Sequence, residues 1–509
     1  VTPWSSRPVR MGQSARWPEE EIGRNSVIPW ITARTRRSRS GIARVRHGCG
    51  PRGVSPGRLE GNGQYMSASL SFISHPRRAW PAAPRQSPAY GSPFMTLFLR
   101  RVALDTRCGD GDAPSAARAA AQPGRTGMAQ KMLKFISLDR EMPEKRSVEE
   151  RARDFGEIYR EYAAQKAADQ AARCSQCGVP FCQIHCPLHN NIPDWLKLTA
   201  EGRLREAYEV ARETNTFPEI CGRICPQDRL CEGSCVIEQS GHGTVTIGAV
   251  EKYITDTAWD EGWVEAIRPA QERPESVGII GAGPGGLAAA DRLRRMGFQV
   301  TVYDRHDRSG GLMVYGIPGF KLEKDVVMRR NAQLEDGGVT FRLNCDVGKD
   351  ITFEEIREAH DSVLIATGVY KARAIQAPGS GLNGLVPALD YLIASNRKSF
   401  GDEVPRFEDG TLNADGKRVV VIGGGDTAMD CVRTAVRQGA ESVKCLYRRD
   451  RANMPGSQRE VANAEEEGVV FEWLAAPKGF LGENRVSAVK AIRMRLGAPD
   501  QTGRQQPEE

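Results

Sequence analysis

The sequence lacks any hydrophobic run long enough to cross a membrane. No apolar stretch in its 509 residues approaches the ~18 residues that a transmembrane helix needs. It also lacks a secretory signal pattern. We therefore expect no membrane association and a cytoplasmic location for the working part of the chain.

Lysine is missing from residues 1–127, which contain 20 arginines and seven acidic residues and so carry a net charge of +13. Residues 128–509 carry −6, so the overall charge of +7 does not describe them. This acidic remainder has no basic patch of the kind that binds nucleic acid. Residues 1–127, the leader, are rich in Arg, Pro, Gly and Ser and show no helix or strand periodicity. This composition predicts that the leader is disordered, or that it is upstream sequence translated from a misplaced start ahead of Met128.

The helical patterns begin after the leader. Ser147 and Glu150 form a capping-box pattern that predicts a helix reaching about Ala172. Residues 192–214 predict two short helices broken near Gly202, and residues 247–263 predict another helix. The polar, Pro-containing stretch 268–276 then predicts a domain boundary near residue 270.

Eight of the 13 cysteines lie between Cys174 and Cys235, in two sets of four. In a reducing compartment, clustered thiols indicate metal more often than disulfides. Cysteine runs that end in Cys-Pro are typical of iron–sulfur proteins. Structural zinc, which prefers paired CxxC motifs, and a redox dithiol remain alternatives, although only one CxxC is present. The cysteines are Cys174, Cys177, Cys182, Cys186, Cys221, Cys225, Cys231 and Cys235.

A glycine-rich loop follows the predicted strand 277–280 and precedes a helix. In GxGxxG loops of this kind, the first glycine makes the tight turn, the second admits a pyrophosphate and the third lets the helix approach the strand. These positions are Gly281, Gly283 and Gly286. Asp304, at the end of the next strand, would accept hydrogen bonds from ribose hydroxyls, which suits FAD or unphosphorylated NAD.

The same pattern recurs about 140 residues later, after the predicted strand 418–422. Here two arginines, Arg448 and Arg449, stand at the end of the second strand in place of the acid, which suits the 2′-phosphate of NADPH. Alanine in place of the third glycine is an accepted variant. The loop residues are Gly423, Gly425, Asp426, Thr427 and Ala428.

From about residue 130 the chain resembles the small (beta) subunit of NADPH-dependent glutamate synthase. Specific motifs carry this resemblance: CSQCG at 174–178, PEICGRICP at 218–226, YGIP at 315–318 and MPGS at 454–457. It implies an α/β fold with an N-terminal α-helical double iron–sulfur domain, followed by FAD- and NAD(P)-binding Rossmann-like domains of the glutathione-reductase kind. Further FAD contacts are implied at Gly310, Gly311, Leu312, Ala366, Thr367 and Gly368.

The cysteine framework also resembles the N-terminal part of dihydropyrimidine dehydrogenase. Carried over, that pattern assigns one [4Fe–4S] cluster to Cys174, Cys177, Cys182 and Cys235. It assigns the second cluster to Cys186, Cys225, Cys231 and the side chain of Glu251. Cys221 is left without a cluster.

The resemblance divides the chain into four parts: a disordered or spurious extension (1–127), the helical [4Fe–4S] domain (128–270), an FAD-binding domain (271–380) and an NADPH-binding domain (381–509). Family members continue beyond the equivalent of residue 509 with further FAD-binding sequence. We therefore expect a C-terminally truncated chain with an incomplete FAD domain and weak flavin retention, ending in a polar tail after residue 495.

The implied function is electron transfer. NADPH gives up a hydride whereas a cluster accepts one electron, and a flavin mediates between the two. No catalytic side chain is required. The implied partner is the glutamate synthase large subunit, which makes glutamate from glutamine and 2-oxoglutarate. Two alternatives remain: a reductase with the same cofactors that serves another partner, such as a pyrimidine reductase or a ferredoxin-linked flavoprotein, and an inactive fragment.

Overall fold

The computed structural model describes residues 72–74, 132–372, 374–501 and 503–509. Of the leader it therefore describes only a three-residue strand, β1 (Phe72–Ser74). The predictions of disorder and of a start at Met128 otherwise lie outside the described residues. Within those residues, no helix is both long enough and apolar enough to cross a membrane.

The part of the chain that carries the eight clustered cysteines is helical. Its core contains Trp195, Leu196, Tyr208, Val250 and Ile254, which lie on three of its helices and are almost fully buried. Short 3-10 turns occur at Lys134–Ile136 and Gln227–Arg229. The helices are α1 (Val148–Arg151), α2 (Ala164–Ala172), α3 (Phe181–Ile184), α4 (Ile192–Ala200), α5 (Leu204–Thr214), α6 (Pro218–Ile224), α7 (Val236–Gln239) and α8 (Ile247–Asp260).

The predicted single helix from Ser147 to Ala172 is wrong. Its capping box is present, but α1 ends at Arg151 and the chain becomes helical again only at Ala164. Between them, the Asp154 carboxylate accepts the N–H of Gly156 at 3.0 Å and also binds Arg146. A side chain that bonds to the backbone two residues on favours a turn over a continued helix.

The next helices agree better with prediction. Gly202 separates α4 from α5 in a left-handed conformation, with φ of 75°. Helix α8 ends at Asp260, three residues before the predicted end, because Gly262 also adopts the left-handed conformation that ends helices.

A five-stranded sheet follows, in the order β1-β5-β2-β3-β4. Strands β2 to β5 are parallel, and β1 pairs antiparallel with β5. Parallel strands joined by helices bury both sheet faces, as the apolar run 277–280 predicts. The elements are β2 (Ser276–Ile280), α9 (Pro284–Arg295), β3 (Gln299–Tyr303), α10 (Leu312–Tyr315), α11 (Lys324–Asp336), β4 (Val339–Arg342), α12 (Phe353–Ala359) and β5 (Ser362–Ile365).

A separate parallel sheet in the order β6-β7-β8 carries the second glycine-rich loop. Both predicted strand–loop–helix units are therefore confirmed. The elements are α13 (Ala388–Ser399), α14 (Pro405–Glu408), β6 (Arg418–Ile422), α15 (Asp426–Arg437), β7 (Ser442–Tyr447), α16 (Gln458–Glu466) and β8 (Val470–Trp473).

Two antiparallel hairpins complete the described chain: β9 (Ala475–Leu481) with β10 (Ala488–Arg493), and β11 (Arg495–Pro499) with β12 (Gln505–Glu508). The predicted polar tail after residue 495 forms the second of these hairpins, and most of its described residues are exposed. The Asp500 carboxylate accepts the N–H of Arg504 and Gly503 adopts φ of 81°, which together close the turn between β11 and β12.

Candidate cluster and nucleotide sites

One cavity is lined by Cys174, Cys177, Cys182 and Cys235. Cys174 follows α2, Cys182 lies in α3 and Cys235 directly precedes α7. The fold thus groups three cysteines of the first sequence set with the last cysteine of the second. This is the grouping that the resemblance implied.

Three of the four thiols that line this cavity have raised pKa values. Burial, reinforced by the thiols of Cys174 and Cys235, raises the pKa of Cys182 to about 12. Burial also raises the pKa of Cys174 and of Cys235. Reactive cysteines have lowered pKa values, so the raised pKa of Cys174 does not suit a reactive thiol in the CxxC motif. A bound metal centre deprotonates its thiol ligands outright, so the donor set suits a cluster.

The residues between Cys174 and Cys177 place polar groups against the sulfur atoms. The backbone N–H and the side-chain amide of Gln176 each donate to Sγ of Cys174 at 3.4 Å. Oγ of Ser175 lies 2.9 Å from Sγ of Cys177. Hydrogen bonds to cluster sulfur atoms influence reduction potential, so Gln176 and Ser175 would tune a cluster held by Cys174 and Cys177.

A second group contains Cys186, Cys225, Cys231 and Glu251, with Cys221 beside them. Burial raises the pKa of Cys231, and the carboxylates of Glu232 and Glu251 and the thiol of Cys186 raise it further. Burial and Glu251 likewise raise the pKa of Cys186. Cys186, Cys231 and Glu251, from three separate segments, therefore lie near one another, and Cys225 lies beside Cys221.

Two asparagines orient Glu251, which is buried in α8. The side-chain amides of Asn190 and Asn215 both donate to its Oε1, each at 3.1 Å. Among the described residues, no group donates a hydrogen bond to Oε2. Burial raises the pKa of Glu251 to about 8. One oxygen is therefore fixed by the protein, and the other remains able to bind a metal.

Cys221 has partners of its own. Its Sγ donates to Oδ1 of Asn215 at 3.6 Å. The neighbouring Cys225 side chain and full burial raise its pKa well above the usual range. Asn215 therefore contacts both Glu251 and the cysteine that the resemblance leaves without a cluster. Sequence reasoning missed Asn190 and Asn215, since no spacing rule identifies a lone asparagine between helices.

In the part of the chain that the structure describes, no three His, Cys, Asp or Glu side chains converge closely enough to hold a single metal ion. In a [4Fe–4S] cluster each cysteine binds a different iron atom, so the four sulfur atoms need not meet at one point. Besides the hydroxyl of Ser175, the side-chain donors that line the cavity are the four thiols, as Cys₄ ligation of a cluster requires.

The first nucleotide loop has the geometry that its three glycines predict. A methyl group on Gly281 would overlap the carbonyl oxygen of Ala366, and one on Gly286 would overlap that of Gly281. A methyl group on Gly283 would meet nothing within 4 Å. The space beside Gly283, at the N-terminus of α9, is thus where a pyrophosphate could approach the free N–H groups.

Two more predicted segments meet this loop. The N–H of Gly310 donates to the carbonyl of Ala282 at 2.7 Å, and a methyl group on Gly311 would lie 2.7 Å from Cα of Gly283. Leu312 begins α10 directly afterwards. Ala366 follows β5 beside Gly281 and leads into Thr367 and Gly368, which are exposed. All three predicted FAD segments therefore lie at one end of the parallel sheet.

Asp304 already has two partners. Its Oδ2 accepts the N–H of Ala282 at 2.7 Å, and its Oδ1 accepts the N–H of His306 at 2.9 Å. Each carboxylate oxygen has a second lone pair that a ribose hydroxyl could use. Asp304 thus holds the loop in place as well as being available to a ribose.

The second nucleotide loop is covered by the MPGS segment. The N–H of Gly456 donates to the carbonyl of Gly424 at 2.8 Å, and that of Ser457 donates to the Asp426 carboxylate at 3.1 Å. Gly425 precedes α15, whose first residues are Asp426, Thr427 and Ala428. Gly423 makes the turn with φ of 146°.

The two arginines after β7 have different surroundings. Arg448 is exposed and makes no hydrogen bond with the described residues. Arg449 is 6% exposed and donates to Gln506 of β12 at 3.4 Å. The sequence pattern predicted the same role for both arginines, but the structure shows that only Arg448 is exposed.

Comparison with known proteins identifies the family. Over 379 residues the chain is 66% identical to the small chain of glutamate synthase [NADPH] from Azospirillum brasilense, which covers 74% of this chain and 79% of that protein. It is 47% identical to the corresponding Escherichia coli small chain over 75% of this chain and 81% of that one. The chain belongs to the glutamate synthase [NADPH] small-chain family.

Two family descriptions match successive parts of this small-chain family member. Residues 151–263 match dihydropyrimidine dehydrogenase domain II, 4Fe-4S cluster, and residues 275–497 match pyridine nucleotide-disulphide oxidoreductase. The protein is an NADPH-dependent oxidoreductase whose cofactors are FAD and [4Fe–4S] clusters. It is also 47% identical to the Escherichia coli protein named "Putative oxidoreductase AegA" over 72% of this chain and 56% of that protein.

Proposed function

We propose that this chain oxidises NADPH for glutamate synthase and passes the electrons to the large subunit, which forms glutamate from glutamine and 2-oxoglutarate. The observation that carries the proposal is that one chain holds two nucleotide loops and two cysteine groups, in a member of the small-chain family. Electron transfer requires no acid–base pair from this chain, and we assign the amide chemistry to the partner.

We assign one cluster to Cys174, Cys177, Cys182 and Cys235, and the other to Cys186, Cys225, Cys231 and Glu251. In this arrangement the apolar walls of the first cavity, including Leu196 and Val245, exclude water from the sulfur atoms. Asn190 and Asn215 hold the Glu251 carboxylate so that Oε2 can bind iron. Fixing the ligands in advance limits the reorganisation that accompanies each electron.

We place FAD at the Gly281 loop and NADPH at the Gly423 loop. The chemistry that FAD supplies when bound is the conversion of hydride transfer into single-electron transfer. The protein binds the pyrophosphate of each nucleotide at a helix N-terminus and keeps the loops rigid through Asp304 and Asp426.

We assign recognition of the NADPH 2′-phosphate to Arg448 and Arg449, with Arg448 as the principal contact because its guanidinium is free. Replacing Arg448 by Gln should lower the NADPH-to-NADH ratio of kcat/KM by roughly 10- to 100-fold, the value of one or two charge-assisted hydrogen bonds. Arg449→Gln should have a smaller effect. An unchanged ratio in both variants would contradict the assignment.

The whole proposal is tested with the purified chain and a large subunit. NADPH oxidation with ferricyanide as acceptor measures the chain alone. Glutamate formation from glutamine and 2-oxoglutarate, dependent on NADPH and on both proteins, measures the partnership. NADPH oxidation without glutamate formation would contradict the assignment of this partner.

A second candidate is a reductase that delivers electrons to a different protein. The similarity to AegA favours it, because this chain covers just over half of a longer oxidoreductase. Reduction of a ferredoxin or of a pyrimidine reductase, at a rate above that obtained with the large subunit, would support this candidate.

A further inference from the structure

The cysteine loop between Cys225 and Cys231 touches the segment that covers the second nucleotide loop. Its central residues form the 3-10 turn Gln227–Arg229, which follows Cys225 and Pro226. Three consecutive side chains of this turn bind residues 454–459. The contact joins two parts of the chain that are more than 220 residues apart in sequence.

Asp228 holds the start of α16. Its Oδ1 accepts the hydroxyl of Ser457 at 3.1 Å, and its Oδ2 accepts the N–H of Gln458 at 3.1 Å. Ser457 does not cap α16 with its own side chain, so Asp228 supplies the carboxylate there. A negative charge at this position is also favoured by the helix dipole.

Arg229 holds the segment just before α16. One terminal nitrogen of its guanidinium donates to the carbonyl of Met454 and, at 3.4 Å, to that of Gly456. The N–H groups of Gly456 and Ser457 in turn bind Gly424 and Asp426. Only one short segment therefore separates Arg229 from the nucleotide loop.

Gln227 anchors the other side of the turn. Its side-chain amide donates to the carbonyls of Cys221 and Gly222, at 3.2 and 3.0 Å, and accepts from Arg459 at 2.7 Å. Gln227 is 2% exposed, and a methyl group on Gly248 of α8 would overlap it. The turn is therefore fixed to the helices that carry the second cysteine group.

We propose that Asp228 and Arg229 are positioning residues of the NADPH site, and that nucleotide binding and retention of the second cluster are coupled through them. The cluster would fix the Cys225–Cys231 loop, the loop would fix residues 454–458, and these would hold Gly424 and Asp426 in the binding conformation. Coupling between two binding sites is reciprocal, so the nucleotide must also stabilise the cluster.

The test uses the full chain with its cofactors and NADP⁺, which binds without reducing the protein. Asp228→Asn and Arg229→Met should each raise the Kd for NADP⁺ by roughly tenfold, within the usual range of coupling between sites. FAD content and the kcat with saturating NADPH should change little, so that the loss appears in KM. Arg203→Met is the matched control, because Arg203 forms exposed ion pairs with Glu201 and Glu206.

A second measurement tests the reciprocal effect. In the wild-type chain, saturating NADP⁺ should slow the loss of cluster absorbance to an iron chelator by roughly fivefold. In Arg229→Met this protection should disappear. Equal protection in both proteins, or an unchanged Kd for NADP⁺ in both variants, would overturn the proposal.

The inference rests on the proposed NADPH site, and one further variant separates the two. Gly425→Ala adds a methyl group at the N-terminus of α15, where a phosphate would approach. If Gly425→Ala binds NADP⁺ like the wild type, the assignment of the nucleotide loop fails. If it binds weakly while Asp228→Asn and Arg229→Met bind normally, only the coupling fails.

Discussion

The first nucleotide loop offers a prediction in which two similar substitutions have different outcomes. Gly283 has φ of −76° and ψ of −179°, which alanine adopts without strain, and its added methyl group would meet nothing within 4 Å. Gly286→Ala would instead overlap the carbonyl oxygen of Gly281 and lie 3.3 Å from Ile279. Gly283→Ala should weaken only FAD binding, whereas Gly286→Ala should also lower the stability of the fold.

The magnitudes follow from these contacts. Gly283→Ala should leave the free energy of unfolding of the FAD-free chain within about 1 kcal/mol of wild type, with any change towards higher stability. Keeping the pyrophosphate from one backbone N–H would cost about 1.5–3 kcal/mol, which weakens FAD binding roughly 10- to 150-fold. Gly286→Ala should lower the free energy of unfolding by about 1–3 kcal/mol through overpacking.

The assay combines FAD titration of the FAD-free chain, followed by flavin fluorescence, with urea unfolding followed by circular dichroism. Gly381→Ala is the control, because its methyl group would also meet nothing within 4 Å at a site remote in sequence from the loop. Wild-type FAD affinity in Gly283→Ala would refute the placement of the pyrophosphate. A loss of stability in Gly283→Ala as large as that in Gly286→Ala would refute the argument from open space.

Three further predictions concern the helical domain. Glu219→Gln should lower the free energy of unfolding, measured by urea denaturation, by about 3–5 kcal/mol. The reason is that the buried Arg330 charge loses the carboxylate that it binds at 2.7 and 2.9 Å. A loss below about 1 kcal/mol would contradict this. Ser175→Ala removes the hydrogen bond between Ser175 and Sγ of Cys177, and should lower the reduction potential of the cluster there by roughly 40–60 mV in an EPR-monitored titration. For one electron, about 59 mV corresponds to about 1.4 kcal/mol. An unchanged potential would argue against the hydrogen bond. Cys221→Ser should retain about eight iron atoms per chain in an iron assay, as two [4Fe–4S] clusters require; loss of four would make Cys221 a ligand.

Local features could be predicted from the sequence because local interactions determine them. The strand predicted at 277–280 occurs at Ser276–Ile280, and the break near Gly202 occurs where glycine alone adopts the left-handed conformation at little cost. The helix predicted through residue 172 failed for an equally local reason. Its apolar spacing favoured a helix, but the Asp154 side chain competes for the backbone and forms a turn.

Features that depend on tertiary contacts could not be predicted in this way. Nothing in the spacing around residue 448 indicates that Arg449 is buried beside Gln506 while Arg448 remains exposed. The role of Asp228 is similarly hidden, because its partners lie about 230 residues further along the chain. In the sequence, Asp228 is one acidic residue between two cysteines.

The grouping of the cysteines depends on both their order in the sequence and the tertiary fold. The sequence orders them as two sets of four, yet the cavity unites Cys174, Cys177 and Cys182 with Cys235. The chain from Cys186 to Cys231 therefore lies between the proposed ligands of the first cluster, and it contains α4, α5 and α6 together with the cysteines proposed for the second. With these proposed ligands, neither cluster can form within a continuous short segment, so both would require the helical core around Trp195 and Tyr208. The proposed interleaving would also fix the turn beside Cys225, which binds residues 454–459.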